Sequence, residues 1–247
     1  MKYILILSLL LTGCAGNGNG PVQQSSSGVK SSAKVHTELA GLYFERAQMG
    51  IALQEIELAL QSDRNYAPAY HVRGLIHMTL REDKEAEDDF VQSLRLDKMD
   101  SEAHNNFGWF LCQRGREQES IPHFMAALKN PLYNTPERAY LNAGLCFQKE
   151  GKNADAEEFL MRALVVQPEM TQAMQALAEL KFAQGDYVTA KKYIAAQKNE
   201  SLTAGQLLLA VRVERKLRNA NAEASYAMQL RQRFPDSREA QLLMRGE

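Results

Sequence analysis

The chain carries almost no excess charge: 29 basic residues against 30 acidic ones leave a net charge of −1 over 247 residues. A nucleic-acid-binding surface normally leaves a basic excess. Neither a basic stripe nor an RNA-type aromatic motif is present, so no nucleic-acid partner is expected. Long apolar runs are missing too, and none approaches the ~20 residues that span a bilayer. Also absent are a nucleophile elbow, a P-loop, a dinucleotide fingerprint and a His-Glu-x-x-His pair. No catalysis, cofactor or small-molecule substrate is therefore expected. The histidines, His36, His71, His77, His104 and His123, offer no metal set, since His71 and His77 lie six apart on one predicted helix. The acidic run from Glu82 to Asp89 reads as a helix start whose carboxylates complement the dipole, with a solvated face. Strand alternation is lacking from residue 33 onwards, so the pattern that remains is helical.

Cysteine is scarce, with three residues, and the first of them closes an address. Lys2 is a lone positive charge, Tyr3 to Leu11 is a short apolar segment, and Leu11-Thr12-Gly13-Cys14 ends it. This is the layout of a secretory signal. Its last four residues resemble the lipobox of bacterial lipoproteins, in which the cysteine is lipidated and becomes the mature first residue. Acyl chains add about 0.8 kcal/mol per buried methylene, and several of them anchor a protein with no spanning helix. Ala15 comes next, where similar lipoproteins retained at the inner membrane carry aspartate. The resemblance implies the periplasmic face of the outer membrane. Residues 1–13 are thus expected to be a signal peptide. Residues 14–32, rich in Gly, Asn, Ser and Gln, are expected to be a flexible polar tether.

Beyond the tether, glycine marks a period. Gly108 interrupts the apolar helix pattern Asn105-Asn106-Phe107-Gly108-Trp109-Phe110-Leu111-Cys112. Glycine inside a helix costs about 1 kcal/mol relative to alanine, so close approach by another helix is expected there. Gly74 lies 34 residues earlier (108 − 74) and Gly144 lies 36 later (144 − 108). A small residue opening each second helix recurs with the same spacing: Ala52, Ala86, Ser120, Ala156, Ala190 and Ala224. Four positions on stands a large apolar one: Ile56, Phe90, Phe124, Leu160, Ile194 and Met228. Two antiparallel helices per 34 residues is the tetratricopeptide signature.

The expected fold is all-α, a right-handed superhelical tetratricopeptide solenoid of about six repeats. They span 33–66, 67–100, 101–136, 137–170, 171–204 and 205–238, followed by a C-terminal tail at 239–247. Gly115, Gly151 and Gly185 mark the turns inside repeats three to five. The first and sixth repeats match the pattern poorly, with Arg212 where a small residue belongs, as capping repeats often do. Pro131 and Pro136 end a helix and lengthen the link after the third repeat.

Two expectations concern the site. Cys112 and Cys146 lie on first helices of adjacent repeats, whose spacing of roughly 8–10 Å brings facing cysteines within bridging range. In an oxidising compartment, a disulfide between the third and fourth repeats is expected. Helix register places Phe44, Leu75, Met78, Trp109, Leu141, Leu145 and Phe182 on the concave side. Such an apolar line marks a partner site, and Trp109 is the only tryptophan, the commonest hot-spot residue type. An amphipathic helix or extended peptide laid along the groove is the expected ligand.

Across nearly its whole length the chain resembles the type IV pilus biogenesis and stability lipoprotein family, PilF/PilW. The specific part is Asn105 to Gln113 followed by Ala139-Tyr140-Leu141-Asn142-Ala143-Gly144-Leu145-Cys146. Generic repeat proteins match its glycines and alanines but not this combination. The resemblance implies a non-enzymatic, outer-membrane-anchored factor that helps the pilus secretin localise or oligomerise. It assigns the covalent lipid to Cys14 and pairs Cys112 with Cys146. The rival reading is another periplasmic adaptor of the same repeat type, serving cell-wall enzymes or outer-membrane protein assembly.

Overall fold

The computed structural model of the protein describes residues 26–197 and 201–246. Among the described residues there are thirteen α-helices and no strand. Twelve of them pair in order. α1 (Ser26–Glu45) packs on α2 (Met49–Ser62), α3 (Ala67–Leu80) on α4 (Asp83–Leu96), and α5 (Ser101–Gln113) on α6 (Glu117–Leu128). α7 (Pro136–Lys149) packs on α8 (Asn153–Val166), α9 (Thr171–Ala183) on α10 (Tyr187–Ala195), and α11 (Ala204–Lys216) on α12 (Ala220–Arg233). The last, α13 (Arg238–Met244), lies against α11 and α12. No helix among the described residues is long and apolar enough to cross a membrane.

The pairs close because a small residue on the first helix faces a large one on the second. A Cβ added to Gly74 would sit 3.1 Å from the ring of Phe90, and one on Gly108 would sit 2.9 Å from Phe124. At Gly144 it would lie 2.7 Å from Leu160 Cγ and 3.1 Å from the Leu160 backbone nitrogen. The residues facing these glycines, Phe90, Phe124 and Leu160, are all fully buried. The tight turn inside each repeat needs one residue in the left-handed region. Gly115, Gly151 and Gly185 supply it at φ of +76°, +81° and +80°, and Ala47, Arg81 and Arg218 take the same conformation in the other three repeats.

Three departures from the sequence reading have physical causes. α1 begins at Ser26, inside the stretch read as tether, so the tether's last residues are helical. Composition there favours disorder, but the stretch is continuous with a helix that packs on α2, and Ser32 Oγ lies 3.1 Å from Ser62 Oγ. At the other end, most of the expected tail is α13. Ser237 caps it by accepting from the Ala240 backbone nitrogen, and Ala240 and Leu243 enter an apolar cluster with Leu207, Val211 and Leu230. The sixth repeat has also lost one residue. Successive turn residues lie 34 apart from Ala47 to Arg81 and from Arg81 to Gly115, but only 33 apart from Gly185 to Arg218 (218 − 185). One residue is about 100° of helix rotation. Ala224 and Met228 therefore face solvent, and Ala227 and Leu230 are buried in their stead.

Ion pairs stitch neighbouring repeats along the turn edge. Arg114 donates two hydrogen bonds to Asp83, at 2.8 and 2.6 Å. Lys149 lies 3.2 Å from Glu117 and also donates to the Cys112 carbonyl, while Lys181 reaches Glu157 at 2.7 Å. Exposed pairs of this kind contribute roughly 0–1 kcal/mol each, so apolar packing holds the stack.

Glycine substitutions separate packing from propensity. Gly144→Ala should destabilise the protein by about 1–3 kcal/mol through overpacking, despite alanine's better helix propensity. Gly41→Ala, where a Cβ meets nothing within 4 Å, should stabilise by up to ~1 kcal/mol. Urea unfolding midpoints of the two variants moving in opposite directions is the expected result.

Candidate partner-binding groove

Each first helix touches the next first helix along the series α1, α3, α5, α7, α9 and α11. Successive second helices do not pack together in that way, because a first helix lies between them. A stack built so bends with its first helices inside, and they line the concave face.

On that face Leu75, Trp109 and Leu145 are half-buried and occupy equivalent positions of repeats two, three and four. Each leans on a different core cluster. Leu75 and Met78 pack on Phe107, Phe110 and Leu111. Trp109 packs on the cluster holding Cys112, Phe124 and Cys146, and Leu145 on that of Leu160 and Leu177. Phe44 and Phe182, also half-buried, rest on the clusters of the first and fifth repeats, and Phe182 meets Tyr187 with ring centroids 5.4 Å apart.

Leu141 is the exception. It is 7% exposed and belongs to the core with Leu160, Ala163 and Leu177. The same helix position carries Thr37, His71 and Asn105 in the earlier repeats, and all three are buried. That position is enclosed between adjacent first helices rather than presented to the groove, so Leu141 is not a lining residue.

Cys112 and Cys146 form a disulfide with a Cα–Cα distance of 5.9 Å. It joins α5 to α7 within the cluster on which Trp109 packs, and Ser120 Oγ approaches Cys146 Sγ at 3.0 Å.

Two polar contacts that sequence reasoning missed tie the first helices together. Asn106 Nδ2 donates to His71 Nε2 at 2.9 Å, linking α5 to α3, and Asn142 Nδ2 donates to Asn105 Oδ1 at 3.0 Å, linking α7 to α5. Both donors stand two residues before an interval glycine, Gly108 or Gly144, which is the signal that could have revealed them. Burial holds the His71 imidazole below its ordinary pKa, in keeping with its role as acceptor.

A second histidine contact lies between α5 and α6. The Nδ1 atoms of His104 and His123 are 3.0 Å apart, and the His123 ring meets Phe107 edge-on with centroids 4.6 Å apart. Desolvation, with a contribution from His104, lowers the His123 pKa to about 4. The inserted segment after α6 is tied to the start of α5. Tyr133 Oη and Thr135 Oγ1 donate to Glu102 at 3.0 and 3.1 Å, and Asn130 donates to Ser101. Burial pushes the Tyr133 phenol upward.

A cavity of about 520 Å³ lies away from Trp109, between the first two repeats, bordered by Leu53, Leu60, Tyr70 and Arg73. Arg73 on its border stands at the helix position of Phe107, Ala143 and Leu177 in later repeats. Arg73 turns instead to Asp89, with hydrogen bonds of 2.8 and 2.6 Å.

Comparison with known proteins places this architecture. The sequence model of the tetratricopeptide repeat matches residues 67–98 and 137–169. The structure of PilW, described as a widely conserved type IV pilus biogenesis factor, is 36% identical in sequence. It superposes with a TM-score of 0.80, covering 86% of this chain and 98% of its own. The chain belongs to the PilF/PilW family. The type IV pilus assembly protein PilF of Pseudomonas aeruginosa is 26% identical over 240 residues, 96% of this chain and 95% of its own. The solved PilF structure superposes with a TM-score of 0.81, covering 89% of this chain and all of that one. The protein is thus a tetratricopeptide factor of type IV pilus biogenesis. Stacked repeats of this kind present an extended concave surface suited to binding other proteins.

Two measurements probe the site's supports. Replacing Cys112 and Cys146 together with alanine should cost about 3–4 kcal/mol, the chain-entropy value for a 34-residue loop, read from urea midpoints under non-reducing conditions. The second is pH. His123 sits below its ordinary value of 6.5, so the fold favours the neutral ring. The stability contributed by the neutral His123 ring should be full above about 6.5 and be lost as pH drops towards 4, because the unfolded chain takes up the proton first. His123→Gln should flatten part of that slope and leave the share carried by His71.

Proposed function

We propose that the protein is an outer-membrane-anchored adaptor that binds the type IV pilus secretin and promotes its localisation and oligomerisation. The observation that carries this reading is the row Leu75, Trp109 and Leu145, half-buried on the inner face of a PilF/PilW solenoid. A lone tryptophan packed against a cluster that holds a disulfide is the kind of anchor that dominates binding energy at interfaces. Cys14, the proposed lipid site, lies outside the described residues. The anchor reading rests on the Leu11-Thr12-Gly13-Cys14 pattern and on Ala15 after it. The lipid would hold the solenoid on the periplasmic face of the outer membrane, and capture of a secretin segment would raise the local concentration of subunits where the pore assembles. In this reading the protein binds and does not transform, with no cofactor besides the lipid.

Deleting the gene and fractionating unheated membranes tests the reading. Loss of the heat-resistant secretin oligomer, or its shift to the inner membrane, is expected, and an unchanged oligomer at the outer membrane refutes the function. Trp109→Ala should weaken secretin crosslinking about tenfold or more, the scale of a hot-spot truncation, with the urea midpoint little changed. Undiminished crosslinking refutes the groove.

A further inference from the structure

The two ends of the solenoid differ. At the C-terminal end α13 folds over the last repeat and buries Ala240 and Leu243. Nothing among the described residues does this at the N-terminal end. In repeats two to five, the third position of the first helix is Ala69, Ala103, Ala139 or Ala173, and each is fully buried. The tenth position is Ile76, Phe110, Cys146 or Leu180, none more than 2% exposed. These are the positions that pack on the preceding repeat. In the first repeat they are Val35 and Leu42, exposed by 49% and 50%.

A second stripe adjoins them. Ile51 and Leu58 on α2 are exposed, where later repeats carry Glu85 and Gln92, or Asp155 and Arg162. Their stripe includes Glu55 and Ser62, whose side chains contact His36 at 2.7 Å and Ser32 at 3.1 Å on α1. The two rows therefore flank one seam and form a single apolar end face.

We propose that this face lies on the membrane surface, among the headgroups of a phospholipid bilayer. The proposal rests on the lipid anchor at Cys14. Twelve residue steps lead from Cys14 to Ser26 (26 − 14), and in any conformation they reach no further than about 43 Å. The anchor thus joins the chain at its open end and keeps that end beside the bilayer. Lys34 on the flank of this face is paired with Glu38, so the apolar side chains and not charge carry the contact. An acyl anchor joined to an exposed apolar surface strengthens attachment, because membrane binding scales with the apolar area buried. It also sets direction. With its first repeat seated on the bilayer, the solenoid stands end-on and carries Trp109 out into the periplasm.

The test uses the lipidated full chain in vesicles of phosphatidylethanolamine and phosphatidylglycerol. With Cys14 acylated and Cys112 bonded to Cys146, a cysteine introduced as Leu42→Cys is the one free thiol and takes a nitroxide label. A second variant, Val35→Cys, repeats the measurement, and Val165→Cys in the fourth repeat, 81% exposed, is the aqueous reference. Relaxation by dissolved oxygen, relative to a water-soluble nickel chelate, should be several-fold higher at 35 and 42 than at 165. Equal ratios on vesicles that carry the protein overturn the docking and leave the anchor standing. Spin–spin broadening at 42 overturns it in favour of a second copy packed end to end. Failure of the protein to float with the vesicles overturns the anchor, and the docking with it.

Discussion

Helix separation within each repeat is the constraint on which the rest of the structure depends. Gly74, Gly108 and Gly144 let α4, α6 and α8 approach until Phe90, Phe124 and Leu160 press on the opposing backbone. Once that contact is fixed, so is the rotation of the first helix about its axis. The residue after each glycine is turned about 100° away, off the intra-repeat contact and onto the inner face. Those residues are Leu75, Trp109 and Leu145. The groove's apolar row is therefore a consequence of the packing register, not a separate feature. It is also bounded by that register. In the first and fifth repeats the small residue is Ala40 or Ala178, and its successor is Gly41 or Glu179. The row at that position is thus apolar in the middle repeats, whereas in the first and fifth the apolar residue of the inner face, Phe44 or Phe182, stands three positions further on.

The period that produces this geometry is legible in one sequence because glycine inside a helix is costly and needs a reason. Five of the six small–large pairs, from Ala52 and Ile56 to Ala190 and Ile194, are buried at the positions their spacing indicates. The sixth fails because a fixed interval cannot register a deletion. One residue is lost before Arg218, and the apolar content of α12 is even enough that Ala224 and Met228 still satisfy the pattern. Leu141 fails for another reason. Helix register gives an angle around one helix, whereas burial at that position depends on how near the neighbouring first helix comes. Composition misjudges the ends of the fold. Ser and Gln near residue 26 suggest disorder, and seven residues at 238–244 make a short helix, yet both segments are held by packing on α2, α11 and α12.

The polar contacts are the least legible part. Asn106 with His71 and Asn142 with Asn105 join side chains more than 30 residues apart. An asparagine in a helix signals nothing until its partner's repeat is in register. Their effect is clear from position. They cross between first helices on the side where the stack is most compressed, where a buried amide without a partner would cost roughly 1–3 kcal/mol. Satisfying each with the next repeat makes the inner face polar enough to specify register and leaves the apolar row intact beside it.

One junction gathers these elements. The link between α6 and α7 runs over residues 129–135, against 97–100 between α4 and α5 and 167–170 between α8 and α9. A longer link constrains its two repeats less, since closure entropy grows with loop length. It is this junction that carries the disulfide, the Asn142–Asn105 contact and the Glu102 hydrogen bonds to Tyr133 and Thr135. Trp109 packs against the cluster that holds Cys112 and Cys146. A large side chain contributes to binding in proportion to how little freedom it and its support give up. Covalent closure across this lengthened link therefore fixes the cluster on which the groove's largest side chain packs, and that joins the stability of the solenoid to its capacity to hold a partner.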